Sequence, residues 1–140
     1  MSDQINSGGG SEQFNKVKEY LAELGYAIVS EDPGEEIMVI NDEEASIANM
    51  ILDCEETILI IEQVIFKVNQ GSEQLYKRLL QLNRDFIHGA FVLDEEGGLV
   101  LYRDTVQLEN LDLNELEASI NSLGLFLAEH SVEIIEMAKS

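Results

Sequence analysis

The residues able to do chemistry are few and scattered. The 140-residue chain holds one cysteine, Cys54, and two histidines, His88 and His130. The histidines fall in different predicted elements. They lack the HxxxH or HExxH spacing that sets two imidazoles on one helix face for a metal. A zinc site needs more thiols and imidazoles than this chain offers. Cys54 alternates with Leu52 and Met50, so it reads as a small buried hydrophobe rather than a nucleophile paired with an imidazole. No Gly-rich phosphate loop and no GxSxG elbow is present. Asp94-Glu95-Glu96-Gly97 lacks the alternating acids and distant Glu of a calcium loop, and reads as a hairpin turn. Asn41-Asp42-Glu43-Glu44 reads as a solvated turn. The expectation is a non-enzymatic protein, with no catalytic residue, metal or cofactor implied.

Charge narrows the partners. There are 28 Asp and Glu against 8 Lys and Arg, a formal charge of −20. Nucleic-acid binders need cations to displace counterions from phosphates, and anionic membranes repel an acidic chain. Neither partner is expected. The acids are spread along the whole sequence, which suits a solvated surface and draws basic partners from a distance. No apolar run approaches the ~18 residues of a membrane span, and the N-terminus does not resemble a signal peptide. With a single cysteine, a reducing, cytoplasmic location is expected.

Chemistry this sparse shifts attention to the elements. Residues 1–10 are polar and end in three glycines, which predicts a flexible arm before a single domain over 11–140. Ser11 caps a helix with Phe14, Val17, Leu21 and Leu24 on one face, stopped by Gly25. Short strands follow at 26–30, 37–40 and 46–54, and a long β-branched strand spans 57–68. A second helix is capped by Ser72, carries Leu75, Leu79, Leu82 and Phe86, and ends at Gly89. Residues 90–93 and 99–103 form a hairpin. Asp112 and Glu115 form a capping pair for a last helix reaching about Ala138. Gly124 inside it predicts a kink or close packing. The fold class is α+β, two-layer, with an antiparallel sheet in the order α-β(3–4)-α-β(2)-α.

The strands are apolar on both sides. Ile58, Ile60, Val64, Phe66 and Val68 share one side of the long strand, while Leu59, Ile61 and Ile65 share the other. In the strand before it, Met50, Leu52 and Cys54 lie opposite Ile47 and Ile51. Residues 37–40 are apolar throughout. Either a strong twist lets three helices wrap the sheet, or an apolar face stays open to another chain; the second reading is preferred. A high negative charge would keep such a face soluble. Ile37, Val39, Ile47 and Ile51 are the candidate partner-binding residues on it. Phe91, Leu93 and Tyr102 of the hairpin are the candidate contacts of a homodimer.

Particular residues also carry a resemblance. Leu79-Leu-Gln-Leu-Asn83, Gly89-Ala-Phe-Val-Leu-Asp94, Gly97-Gly-Leu-Val-Leu-Tyr102 and Leu111-Asp-Leu-Asn-Glu-Leu116 together resemble the type III secretion chaperone-like fold. The sequence is similar to class I, Tir chaperone-type, proteins and to the YbjN-like family. The resemblance implies a small, acidic, cytoplasmic protein, homodimeric and without catalysis. It would hold an extended polypeptide client on its helix and sheet surface. For a YbjN-like protein, the implied role is regulation through a folded protein partner.

Overall fold

The computed structural model describes residues 9–140. Most of the arm expected over 1–10 therefore lies outside the described residues. Helix α1 (Glu12–Leu24) starts where Ser11 accepts a hydrogen bond from the Phe14 amide at 3.1 Å, and it buries Phe14, Val17 and Leu21. Four strands follow: β1 (Ala27–Asp32), β2 (Ile37–Asp42), β3 (Ile47–Glu55) and β4 (Ile58–Lys67). Helix α2 (Glu73–Leu82), strands β5 (Ala90–Leu93) and β6 (Leu99–Gln107), and helix α3 (Leu113–Lys139) complete the chain. Asp112 and Glu115 make both bonds of the capping box at the start of α3.

The six strands form one antiparallel sheet in the order β1-β2-β3-β4-β6-β5. All three helices pack on one face of it, giving two layers. One core cluster joins α1 and the first half of α3 to Met38, Ile40, Met50, Leu52, Leu59, Ile61 and Tyr102. A second joins α2 and the later part of α3 to Phe66, Phe91 and Val100. Phe86 and Leu127 touch both.

Helix α2 ends sooner than its apolar stripe suggested. Residues Asn83–Asp85 tighten into a 3₁₀ turn, and Phe86 is extended, with φ −78° and ψ 138°. The cause is a tertiary clamp: Asn83 accepts a hydrogen bond from the Phe91 amide at 2.7 Å and donates one to the Phe91 carbonyl at 3.3 Å. The released Phe86 ring stacks on Phe126 at 4.1 Å, and the Phe91 ring stands edge-on to both.

Gly124 is a point of close approach rather than a kink. A Cβ there would lie 2.6 Å from the Ala45 carbonyl oxygen, because α3 crosses directly over the turn after β2. Gly124→Ala should gain ~1 kcal/mol of helix propensity. It should lose more by pressing on backbone that cannot rotate away, where overpacking costs up to ~3 kcal/mol. We expect a net loss of about 1–2 kcal/mol, read from the urea midpoint.

Candidate protein-binding surface

Strand alternation sends every second side chain of the sheet away from the helices. On that side the register aligns Val39 of β2, Ile51 of β3, Glu62 of β4 and Arg103 of β6 in one row. The next row runs Ile37, Asp53, Ile60, Thr105. Ile58 lies beyond it, and Val64, Leu101 and Val92 align at the other end. None of these apolar residues belongs to either core cluster or packs against one. The helices leave this face uncovered, and Ile51 and Val64 are 38% and 53% exposed.

Three of the four residues expected on an open face are there: Ile37, Val39 and Ile51. Ile47 is not; it is 2% exposed and sits in the first core cluster. A β-bulge reverses the alternation between Ile47 and Ile51. Two residues of β3, Ala48 and Asn49, stand opposite the single residue Asn41 of β2. Asn49 takes φ +52°, a conformation that Asn tolerates better than most residues. The displaced backbone is satisfied from neighbouring strands. Asn41 Oδ1 accepts from the Asn49 amide at 2.6 Å. Gln63 accepts from the Ala48 amide at 3.1 Å and donates to the Ser46 carbonyl at 3.2 Å. A second irregularity, between Val64 and Phe66, turns Phe66 into the core, away from the side of Ile58 and Ile60. Ile60 and Leu101 belong to the uncovered face but were not singled out from the sequence. Period-2 alternation groups residues within a strand and does not match one strand's side to another's.

The face is apolar but acidic. Glu62 is neutralised by Arg103 beside it. Asp53 has no such partner, and its Oδ1 is buried without a hydrogen bond. Burial pushes the Asp53 carboxyl up to about 6, a side-chain hydrogen bond with Glu55 adds to this, and the charges of Glu55, Glu62 and Glu35 push it the same way.

The hairpin residues divide. Tyr102 is fully buried and Phe91 is 5% exposed, so both are core here and closed to a partner. β5 and β6 present them to the helices, the opposite side from Val92 and Leu101. Leu93 is 43% exposed. It lines an apolar groove of about 240 Å³ with Tyr76, Leu79, Leu80 and Val92 at the β5 edge of the sheet.

The groups weighed for chemistry are placed apart. Burial pushes the Cys54 thiol up to about 12, with Glu36, Asp53 and Glu55 adding to it, so the thiol stays protonated at neutral pH. A polar cleft of about 670 Å³ contains His88, Asp104 and Ser119. The Ser119 hydroxyl donates to Asp104, and His88 engages α3 through its backbone, with its amide and carbonyl on Ser122 Oγ. His130 stacks on Phe126 and reaches Asp85 at 3.2 Å. Among the described residues, no helix is long and apolar enough to cross a membrane.

The model of the CesT_Tir_1 family matches residues 10–140. The chain belongs to that family. Solved structures show the same fold at low identity. YbjN of E. coli superposes with a TM-score of 0.63 at 9% identity, covering 85% of this chain and 91% of its own. A chain of the HopA1–SchA chaperone–effector complex gives 0.60 at 15% identity, with both chains covered in full. A chain of the heterodimeric ExoU–SpcU complex, from the type III secretion system of Pseudomonas aeruginosa, gives 0.58 at 16% identity over 89% of this chain and 99% of that one. No curated protein matches the sequence. The CesT_Tir_1 chain thus has the secretion chaperone-like, YbjN-like α+β fold, with an open six-stranded sheet and element order α-β₄-α-β₂-α.

Proposed function

We propose that this protein is a non-enzymatic, class I chaperone-like binding module that holds a segment of a partner polypeptide on its uncovered sheet face. The observation that carries this reading is that face: Ile37, Val39, Ile51, Ile60 and Leu101 lie on one side of the sheet and no helix covers them. Apolar surface left in water is unfavourable by ~25 cal/mol per Å², so a chain that keeps it open gains by covering it with a partner. An extended segment suits a pleated surface, because its alternate side chains can settle between those of the sheet. Membership of the CesT_Tir_1 family and a fold shared with chains of chaperone–effector complexes support the same reading. The acidic surface keeps the open face soluble while it waits for its client, in the cytoplasm. The protein works as a homodimer, joined through the groove of Leu79, Leu80 and Leu93 rather than through the sheet face.

The double variant Val39→Asp/Ile51→Asp tests this. Affinity capture from lysate of the source cells, with quantitative mass spectrometry, compares it with the parent chain. At least tenfold less of one abundant partner should be retained by the variant, while its circular dichroism and cooperative melting persist. A captured set unchanged by the two charges would overturn the reading. Retention of a single folded protein, with no segment protected from protease, would instead favour a regulator acting through a folded partner.

A further inference from the structure

Asp53 is an anomaly on the uncovered face. Its cross-strand neighbours are Ile37 and Ile60, with Ile51 two residues before it. An apolar residue here would complete a continuous patch. Instead, the site holds a carboxyl whose Oδ1 is enclosed without a hydrogen bond, and whose one side-chain hydrogen-bond neighbour is another acid, Glu55, rather than a cation. Such a group costs stability unless something pairs with it. Every charged group near it is of the wrong sign or engaged elsewhere. Glu35, Glu55 and Glu62 are acids, and Arg103 is bound to Glu62.

We propose that the segment held on this face carries a lysine or arginine between apolar residues, and that this cation pairs with Asp53. The inference rests on the reading that the face holds a polypeptide, and adds the chemistry of the segment. The isoleucines around Asp53 would receive the apolar residues on either side of the cation. The carboxylate would receive the charge in a partly dehydrated setting, where an ion pair is screened less than in open water. The same acids disfavour a second copy of this chain centred here, because a two-fold pairing with its axis at Asp53 would bring Asp53 and Glu55 close to their own images, and like charges brought together oppose association. The contact also discriminates: an apolar segment without the cation would leave Asp53 buried deeper and still unpaired.

Proton and cation compete for this carboxylate. Burial, with Glu55, Glu62 and Glu35 around it, holds its titration near pH 6. Arg103 of β6 lies in the neighbouring row and is paired with Glu62, and Thr105 in the Asp53 row does not titrate. Above that pH the site is an anion awaiting a partner. Below it the carboxyl is neutral and the preference for a cation fades.

Two fluorescein-labelled twelve-residue peptides test the idea. Both alternate valine and serine; one has lysine at its centre, the other norleucine. Fluorescence anisotropy at pH 7.5 should show the lysine peptide binding the parent chain about tenfold more tightly. Asp53→Asn should reduce that preference to less than twofold without lowering the melting temperature, and so should pH 5 in the parent chain. Equal binding of the two peptides to the parent chain, or a lysine preference that survives in Asp53→Asn, would overturn the cation inference and leave the face reading intact. If neither peptide bound, or both bound Val39→Asp/Ile51→Asp as well as the parent chain, the face reading would fall and take the inference with it.

Discussion

Tyr102→Ala is expected to cost about 3–5 kcal/mol of folding stability, the range for deleting a large buried aromatic ring. The ring is completely buried where β6 meets α3, 5.6 Å from the Phe86 ring. Its hydroxyl donates to the Ser119 carbonyl at 2.6 Å and approaches the His88 carbonyl at 3.3 Å. Burial holds the phenol proton on well above its ordinary range, with Asp104 reinforcing the effect. Gly89, at φ +78°, lets the backbone pass so close that a Cβ would meet the ring at 2.5 Å. The alanine variant therefore leaves a void as well as an unpaired carbonyl. Against a total of ~5–15 kcal/mol for a domain, the loss moves it close to unfolding. Leu93→Asp, two strand positions from Phe91 in the same hairpin, should behave oppositely. It should keep the parent's melting curve within a few degrees, and should shift sedimentation from dimer to monomer. A Tyr102→Ala chain that stayed fully folded but monomeric would restore Tyr102 to an interface.

What the sequence made legible follows the range of the interactions involved. Ser11, Ser72 and the Asp112–Glu115 pair act on amides within one turn, so each helix start could be read from a few adjacent residues. The β-branched run at 58–67 and the Asp94–Gly98 turn are equally local. The end of α2 was not legible, because Asn83 bonds to Phe91, on a strand whose place at the sheet edge no nearby residue announces. The candidate surface was legible in part for a related reason. Alternation correctly grouped Ile37 with Val39, yet it could not know that β6 lies beside β4 and brings Leu101 and Arg103 into register with Val64 and Glu62. Two of the three dimer candidates lie in the core for the same reason. Phe91 and Tyr102 have the composition of an interface, and which side of the hairpin meets α3 is decided by packing alone.

The bulge in β3 gives the largest contrast between neighbouring positions. Ile47→Asp should unfold the chain or cost at least ~4 kcal/mol, since it places a carboxylate with no partner in the first core cluster. Ile51→Asp, four residues along the same strand, should cost about 1 kcal/mol, from lost β propensity and from the carboxylate of Glu62 directly opposite. Uninterrupted alternation would put both residues on one side and predict similar costs. The difference depends on Asn49 at φ +52° and on Asn41 and Gln63, whose side chains hold the bulged backbone. Urea unfolding of the two variants measures it directly. A gap below about 1 kcal/mol would mean that Ile47 is not held in the core, and that the uncovered face extends to the start of β3. Gln63→Leu sharpens the test. It keeps the side-chain bulk but removes the partner of the Ala48 amide and the Ser46 carbonyl, at ~0.5–1.5 kcal/mol for each hydrogen bond lost, since both residues are exposed to water. If the bulge sets the alternation, that loss should shrink the gap between Ile47→Asp and Ile51→Asp, because the strand would then be free to slip toward regular pairing.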